Sequence, residues 1–286
     1  METATAAMDK YCVLGNPVEH SKSPWIHMRF AELTGQVLHY GKRLVPVDHF
    51  VRAIEAFRGE GGLGCNITVP FKFEAPALAT SMTPRAQLAR ACNTLRFEGP
   101  AVQADNTDGV GLVNDIQRNA GVAISGRDLL LIGAGGAAAG VLGPLIEARP
   151  RRIVVANRTQ AKAEALIERH APLAALQGVQ LQAPRQDRIA EAFDVVINGT
   201  STSMSGAAVP VSPAVLNPGA LACDMMYGTA AEGFIDWARS HGAVPRDGVG
   251  MLVEQAAEAF EFWRGVRPPA AQVLAELRAA LAAGTA

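Results

Sequence analysis

The sequence predicts an α/β protein of two domains, each built on a mainly parallel sheet flanked by helices. Three observations support this. Short apolar runs recur and are each followed by a helix-forming stretch, Gly, Pro and Asn punctuate the joints between them, and the rhythm restarts after Asp108. A chain of 286 residues also exceeds what one hydrophobic core commonly supports.

Tyr11 to Leu14 reads as a buried strand closed by Gly15, Asn16 and Pro17. Ser23 suits an N-cap and Pro24 a first helical turn, so a helix opens there and stops at Gly35. A second strand is expected over 39–45, a helix capped by Asp48 runs to Arg58, and a third strand over 64–69 breaks at Pro70. Helical segments follow over 71–79 and 84–90, then a strand over 94–97 and a helix over 109–119 stopped by Gly121. From Asp128 strands are expected over 129–132, 153–156, 194–198 and 221–224, with helices over 137–148 and from Thr159. Two last helices, 251–263 and 269–283, are expected to return to the first domain. The expected domains are therefore 1–108 completed by 249–286, and 109–248.

Composition narrows the function. A formal net charge of -1 and the lack of any Lys/Arg run argue against nucleic acid as a partner. With 49% hydrophobic and 19% charged residues the chain suits a globular fold. Cys12, Cys65, Cys92 and Cys223 are scattered and form no C-x-x-C pair, which reads as buried free thiols in a reducing compartment. His20 and His27 lack the companions of a zinc site, so no metal is expected. No signal peptide or membrane span is expected, the first seven residues read as a loose tail, and the location expected is cytoplasmic. A homodimer is left open.

The apolar run Leu129 to Ile132 leads into Gly133-Ala134-Gly135-Gly136-Ala137-Ala138, the G-x-G-x-x-G/A pattern with Ala at its last position. The pattern provides a tight turn, a side-chain-free approach and a helix N-terminus facing a pyrophosphate, as in a Rossmann-type, doubly wound dinucleotide domain. An NAD site would place Asp or Glu roughly 20 residues further on. Here Asn157-Arg158-Thr159 and Lys162 follow the next strand instead. A carboxylate would repel a ribose 2′-phosphate, whereas this set binds it, so NADP is the expected cofactor.

The stretches GNPVEHSKSPWIH, NITVPFK, NTL, DNTDGVG and DGVGMLVEQA, taken with GAGGA and NRT, resemble the shikimate dehydrogenase family across nearly the whole chain. The resemblance implies reversible, NADPH-dependent reduction of 3-dehydroshikimate to shikimate in aromatic amino-acid (chorismate) biosynthesis. It implies Lys72 and Asp108 as catalytic residues, Ser21 and Ser23 as carboxylate-binding hydroxyls, and Asn66, Thr68, Asn93, Tyr227 and Gln255 as substrate contacts. Met225 and Gly248 resemble residues near the nicotinamide. Taken singly these residues have plainer readings: Ser23 and Asp108 as helix caps, the asparagines as turn formers, Lys72 as a solvated charge. Glu19 beside the serines, Lys162 where the family commonly has Arg, and the loop 199–206 depart from the family pattern. A quinate-oxidising paralogue and a non-catalytic NADPH-binding module are the alternatives.

Overall fold

The computed structural model describes residues 8–200 and 208–285; the tail before Met8 and most of the loop 199–206 lie outside them. The chain divides into two compact units. One holds the described residues up to Thr107 together with those from Ala256 onward, and the other is Asp108–Gln255.

The first unit contains β1 (Asp9–Gly15), α1 (Ser23–Thr34), β2 (Leu38–Leu44), α2 (Phe50–Gly59), β3 (Gly62–Ile67), β4 (Ser81–Met82), α3 (Pro84–Ala89), β5 (Thr94–Glu98) and β6 (Ala101–Asp105). Its sheet runs β2-β1-β3-β5-β6-β4. The pairs β1·β2, β1·β3 and β4·β6 are parallel, while β3·β5 and β5·β6 are antiparallel. The β5·β6 pair is a hairpin whose turn carries Gly99 at φ 54, a left-handed conformation that glycine adopts without strain.

The second unit contains α4 (Asp108–Asn114), β7 (Asp128–Ile132), α5 (Gly136–Glu147), β8 (Arg152–Ala156), α6 (Gln160–Gln177), β9 (Gln180–Gln182), β10 (Phe193–Asn198), β11 (Leu216–Asp224), α7 (Thr229–Ser240), β12 (Val244–Arg246) and the start of α8 (Val249–Arg264). The remainder of α8 and α9 (Ala270–Ala282) belong to the first unit. The all-parallel order β12-β11-β10-β7-β8-β9 is, from its other edge, the 3-2-1-4-5-6 arrangement of doubly wound dinucleotide folds. Strand side chains alternate between two cores, as pleating requires. Leu129, Leu131, Ile153, Val155, Val195 and Ile197 pack on one face, and Leu130, Ile132, Val154, Ala156 and Val196 on the other.

Several local expectations are corrected. Ser23 is the first residue of α1, whose N-cap position is Lys22 with no side-chain cap. Asp48 sits in a 3-10 turn, Val47–His49, and its side chain caps nothing. The segment 71–79 holds two 3-10 turns, Phe71–Phe73 and Ala75–Leu78, because Pro70 and Pro76 interrupt the supply of amide donors. Asp108 and residues 249–255 fall in the second unit. A Cβ on Gly109 would lie 2.5 Å from Gly140 O on α5, and one on Gly111 2.6 Å from Gln255 Cβ, so α4 is pressed between those helices. In the first unit Trp263 Nε1 donates to Leu95 O at 2.9 Å, which fastens the end of α8 to β5.

Candidate functional site

In the second unit, β7 ends where the glycine turn begins. Gly133 has φ 112, a conformation closed to most side chains, and its N–H donates to Ala156 O at 2.7 Å. A Cβ there would lie 3.1 Å from the Gly199 carbonyl, so the ends of β7 and β10 approach through glycine alone. These strands flank the point where the strand order reverses, the usual place for a nucleotide in such sheets. Around Gly135 a Cβ would meet nothing within 4 Å, and no side chain caps α5. The first amides of α5 are therefore presented beside open space, as a pyrophosphate requires. Ala134, Gly136 and Ala137 are half-buried around this turn, and Ala138 is buried beneath it.

At the end of β8, Asn157 Nδ2 donates to Thr159 O at 2.8 Å and tightens the turn. Arg158, Thr159 and Lys162 are exposed, and Arg158 has no ion pair among the described residues. The Thr159 hydroxyl does not cap α6, although the residue occupies the N-cap position. The end of β8 thus offers two cations, an amide and a hydroxyl in place of a carboxylate. These residues fit a ribose 2′-phosphate.

Beyond β10 and β11, Asn198 Nδ2 donates to Asp224 Oδ2 at 2.9 Å, and Asp224 Oδ1 receives the Met226 N–H at 2.8 Å. Gly248 N–H donates to Met226 O at 2.8 Å, and a Cβ on Gly248 would lie 2.5 Å from Met225 O. Met225 and Gly248 are therefore neighbours, with Met225 Sδ 3.1 Å from the position a Gly199 Cβ would take. Tyr227 follows, half-buried. The Asn198–Asp224 pair was not singled out in the sequence, although a polar residue closing each of two apolar strands was its visible signal.

In the first unit the polar candidates gather at the carboxyl ends of β1 and β3. Thr68 N–H donates to Leu14 O at 2.9 Å, and Gly15 leaves no room for a side chain beside the Thr68 methyl. Ser21 Oγ receives the Ser23 N–H at 3.3 Å, so these two serines share one bend at the start of α1. Asn66 is buried: Nδ2 donates to Asn93 O at 3.2 Å and to Thr94 Oγ1 at 3.0 Å, and Oδ1 receives the Tyr40 hydroxyl at 2.6 Å. Asn93 Oδ1 receives Thr94 Oγ1 and Thr107 N–H, both at 2.9 Å. Lys72, half-buried, rides on the turn anchored by Phe71, which is fully buried and stacked on Phe50 at 4.8 Å. Its backbone carbonyl receives Cys92 N–H at 2.9 Å. These bonds hold Asn66, Thr68 and Asn93 at the ends of β1 and β3 with the Lys72 turn tied beside them through Cys92, while Ser21 and Ser23 lie at the start of α1. Glu19 is exposed, and its backbone carbonyl receives the Lys42 ammonium.

Asp108 and Gln255 belong to the second unit and are both buried, and Gln255 Nε2 donates to Leu252 O at 2.8 Å within its own helix. Burial pushes the thiols of Cys12 and Cys92 up to about 12 and raises those of Cys65 and Cys223 as well, so all four are inert, buried thiols. Among the described residues no group of three or more His, Cys, Asp or Glu side chains is placed to hold a metal ion.

Family models match in three stretches: the shikimate dehydrogenase substrate binding domain over residues 13–95, shikimate / quinate 5-dehydrogenase over 115–207, and the shikimate 5'-dehydrogenase C-terminal domain over 248–278. A curated protein of Acidovorax sp. (strain JS42) named shikimate dehydrogenase (NADP(+)) is 64% identical over 280 residues, covering 98% of this chain and 99% of its own. The crystal structure of an Ael1 enzyme from Pseudomonas putida is 45% identical with a TM-score of 0.85, covering 94% of this chain and 98% of that one. Shikimate 5-dehydrogenase from Thermus thermophilus, solved in complex with NADP(H) and shikimate, is 27% identical with a TM-score of 0.80, covering 96% of this chain and 100% of that one. With family models matched along most of the chain and a relative 64% identical over 98% of it, this protein belongs to the shikimate dehydrogenase family.

Proposed function

We propose that the chain catalyses the reversible, NADPH-dependent reduction of 3-dehydroshikimate to shikimate, serving aromatic amino-acid biosynthesis. The observation that carries this reading is one chain holding both a phosphate-selective turn after β8 and a cluster of hydroxyls, amides and an ammonium at the ends of β1 and β3. The name of the Acidovorax relative supports it. Bound NADPH supplies the hydride that turns the ketone carbon into an alcohol carbon.

The protein's part is to hold and to protonate. The turn at Gly133 would bring the backbone amides of Ala134 to Ala137 to the pyrophosphate, and Asn157, Arg158, Thr159 and Lys162 would hold the 2′-phosphate. Met225 and Gly248 border the nicotinamide. Ser21 and Ser23 take the substrate carboxylate, while Asn66, Thr68, Asn93, Tyr227 and Gln255 take its hydroxyls. Lys72 is the proton donor: its ammonium stabilises the charge developing on the carbonyl oxygen and then gives up a proton, and the family resemblance assigns Asp108 as the catalytic carboxylate. The four buried thiols favour a reducing, cytoplasmic location.

Lys72→Ala tests the chemistry. The variant should bind NADPH as the wild type does while turnover falls about 10² to 10⁴-fold, the usual worth of a positioned acid or base. Near-normal turnover would remove Lys72 from the reaction.

A further inference from the structure

We infer that Tyr40 is a positioning residue for substrate recognition, its phenol donating to Asn66 Oδ1 and so holding in place the amide that meets the ligand. This rests on the reading of Asn66 as a substrate-binding residue. Tyr40 lies in β2, is 2% exposed, and all of its polar contacts are within the first unit.

The direction of each hydrogen bond follows from one fixed point. Asn93 O is a backbone carbonyl and can only accept, so the Asn66 atom facing it is Nδ2. The second Nδ2 hydrogen goes to Thr94 Oγ1, whose own proton goes to Asn93 Oδ1. Both amide hydrogens of Asn66 are then committed, and Oδ1 faces Tyr40 at 2.6 Å and takes the phenol proton. Asn66 therefore meets a ligand through the second lone pair of Oδ1, as an acceptor for a substrate hydroxyl. The phenol is held in register by His27, whose ring stacks on that of Tyr40 at 4.2 Å and 5°.

Tyr40→Phe removes the phenol oxygen and leaves the stack intact. Losing one buried donor should raise KM for shikimate about 10-fold, with kcat within roughly 3-fold and KM for NADP unchanged. Asn66→Ala should raise the same KM, and Tyr40→Phe/Asn66→Ala should be no worse than Asn66→Ala alone, because Tyr40 acts through Asn66. A shikimate KM that moves in Asn66→Ala but not in Tyr40→Phe, or that rises additively in the double variant, would overturn the inference. An unmoved KM in both single variants would overturn the reading of Asn66 as well. Should Tyr40→Phe not fold, wild-type protein labelled with 13C at the tyrosine Cζ gives the answer, since the chain has only Tyr11, Tyr40 and Tyr227. Saturating shikimate should move the Tyr40 resonance, assigned with Tyr11→Phe and Tyr227→Phe, and an unmoved resonance would count against the positioning role.

Discussion

His27 shows how much a single buried side chain can determine. It is fully enclosed by Phe30, Tyr40, Phe260 and Trp263, and neither ring nitrogen has a hydrogen-bond partner. Burial pushes its pKa down to about 3. Asn66 lies close enough to raise it slightly, but its amide is already committed to Tyr40, Asn93 and Thr94, so no hydrogen bond reaches the ring. An unfolded His titrates near 6.5. Between about 6.5 and about 3 the unfolded chain takes up a proton that the folded one refuses, so stability falls as pH drops through that window, by up to about 1.4 kcal/mol per pH unit. Above it the histidine contributes no pH dependence. His27→Phe should therefore flatten the decline of the urea midpoint between pH 7 and pH 4, and equal slopes in the two proteins would contradict this role. At this scale the motif residues were legible in the sequence, whereas His27 registered only as half of an incomplete metal pair and Tyr40 not at all. Their importance arises from the pairing of β1, β2 and β3 and from the packing of α1 and α8 on that sheet, and no local pattern encodes which elements become neighbours.

At the scale of elements, close approach is the recurring device. The turn of π-helix Asp115–Asn119 continues α4 and buries Asp115, which receives Arg246 Nε at 2.6 Å and Nη2 at 2.5 Å from β12. Gly250 at the start of α8 lies so close to this carboxylate that an added Cβ would fall within it. Gly250→Ala must displace Asp115 from its guanidinium, and breaking such a buried pair costs about 3 to 5 kcal/mol. The urea midpoint reads the loss, and a change below about 0.5 kcal/mol would show that the pair does not need the glycine. Strands with a continuous apolar run, such as β7, β8 and β10, were visible in the sequence because burial on both faces demands them. β4, β9 and β12 were not, being two or three residues long and polar or half-exposed. β6, with Gln103 between small residues, and α7, whose buried Ala231, Phe234 and Ala238 follow helical spacing, left weaker marks that a finer count of periodicity would have caught.

For the whole molecule, the restart of the strand–helix rhythm after Asp108 foretold two units, and the glycine fingerprint foretold the doubly wound order of the second. The mixed sheet of the first unit was less legible, since antiparallel β5 and β6 depend on one hairpin turn at Gly99. The division of labour follows from these sheets: the first presents hydroxyls, amides and Lys72 at its strand ends, and the second presents bare amides and the cations after β8. The central claim, phosphate-selective nucleotide use coupled to reduction of a carboxylated cyclic ketone, is tested most directly by following the absorbance of NADPH, and in parallel of NADH, mixed with purified protein and 3-dehydroshikimate. Substrate-dependent oxidation is expected with both kcat and specificity in the enzymatic range, and with kcat/KM roughly 10²-fold higher for NADPH, the worth of two charge-assisted hydrogen bonds to the 2′-phosphate. No substrate-dependent oxidation, or equal efficiency with NADH, would contradict it.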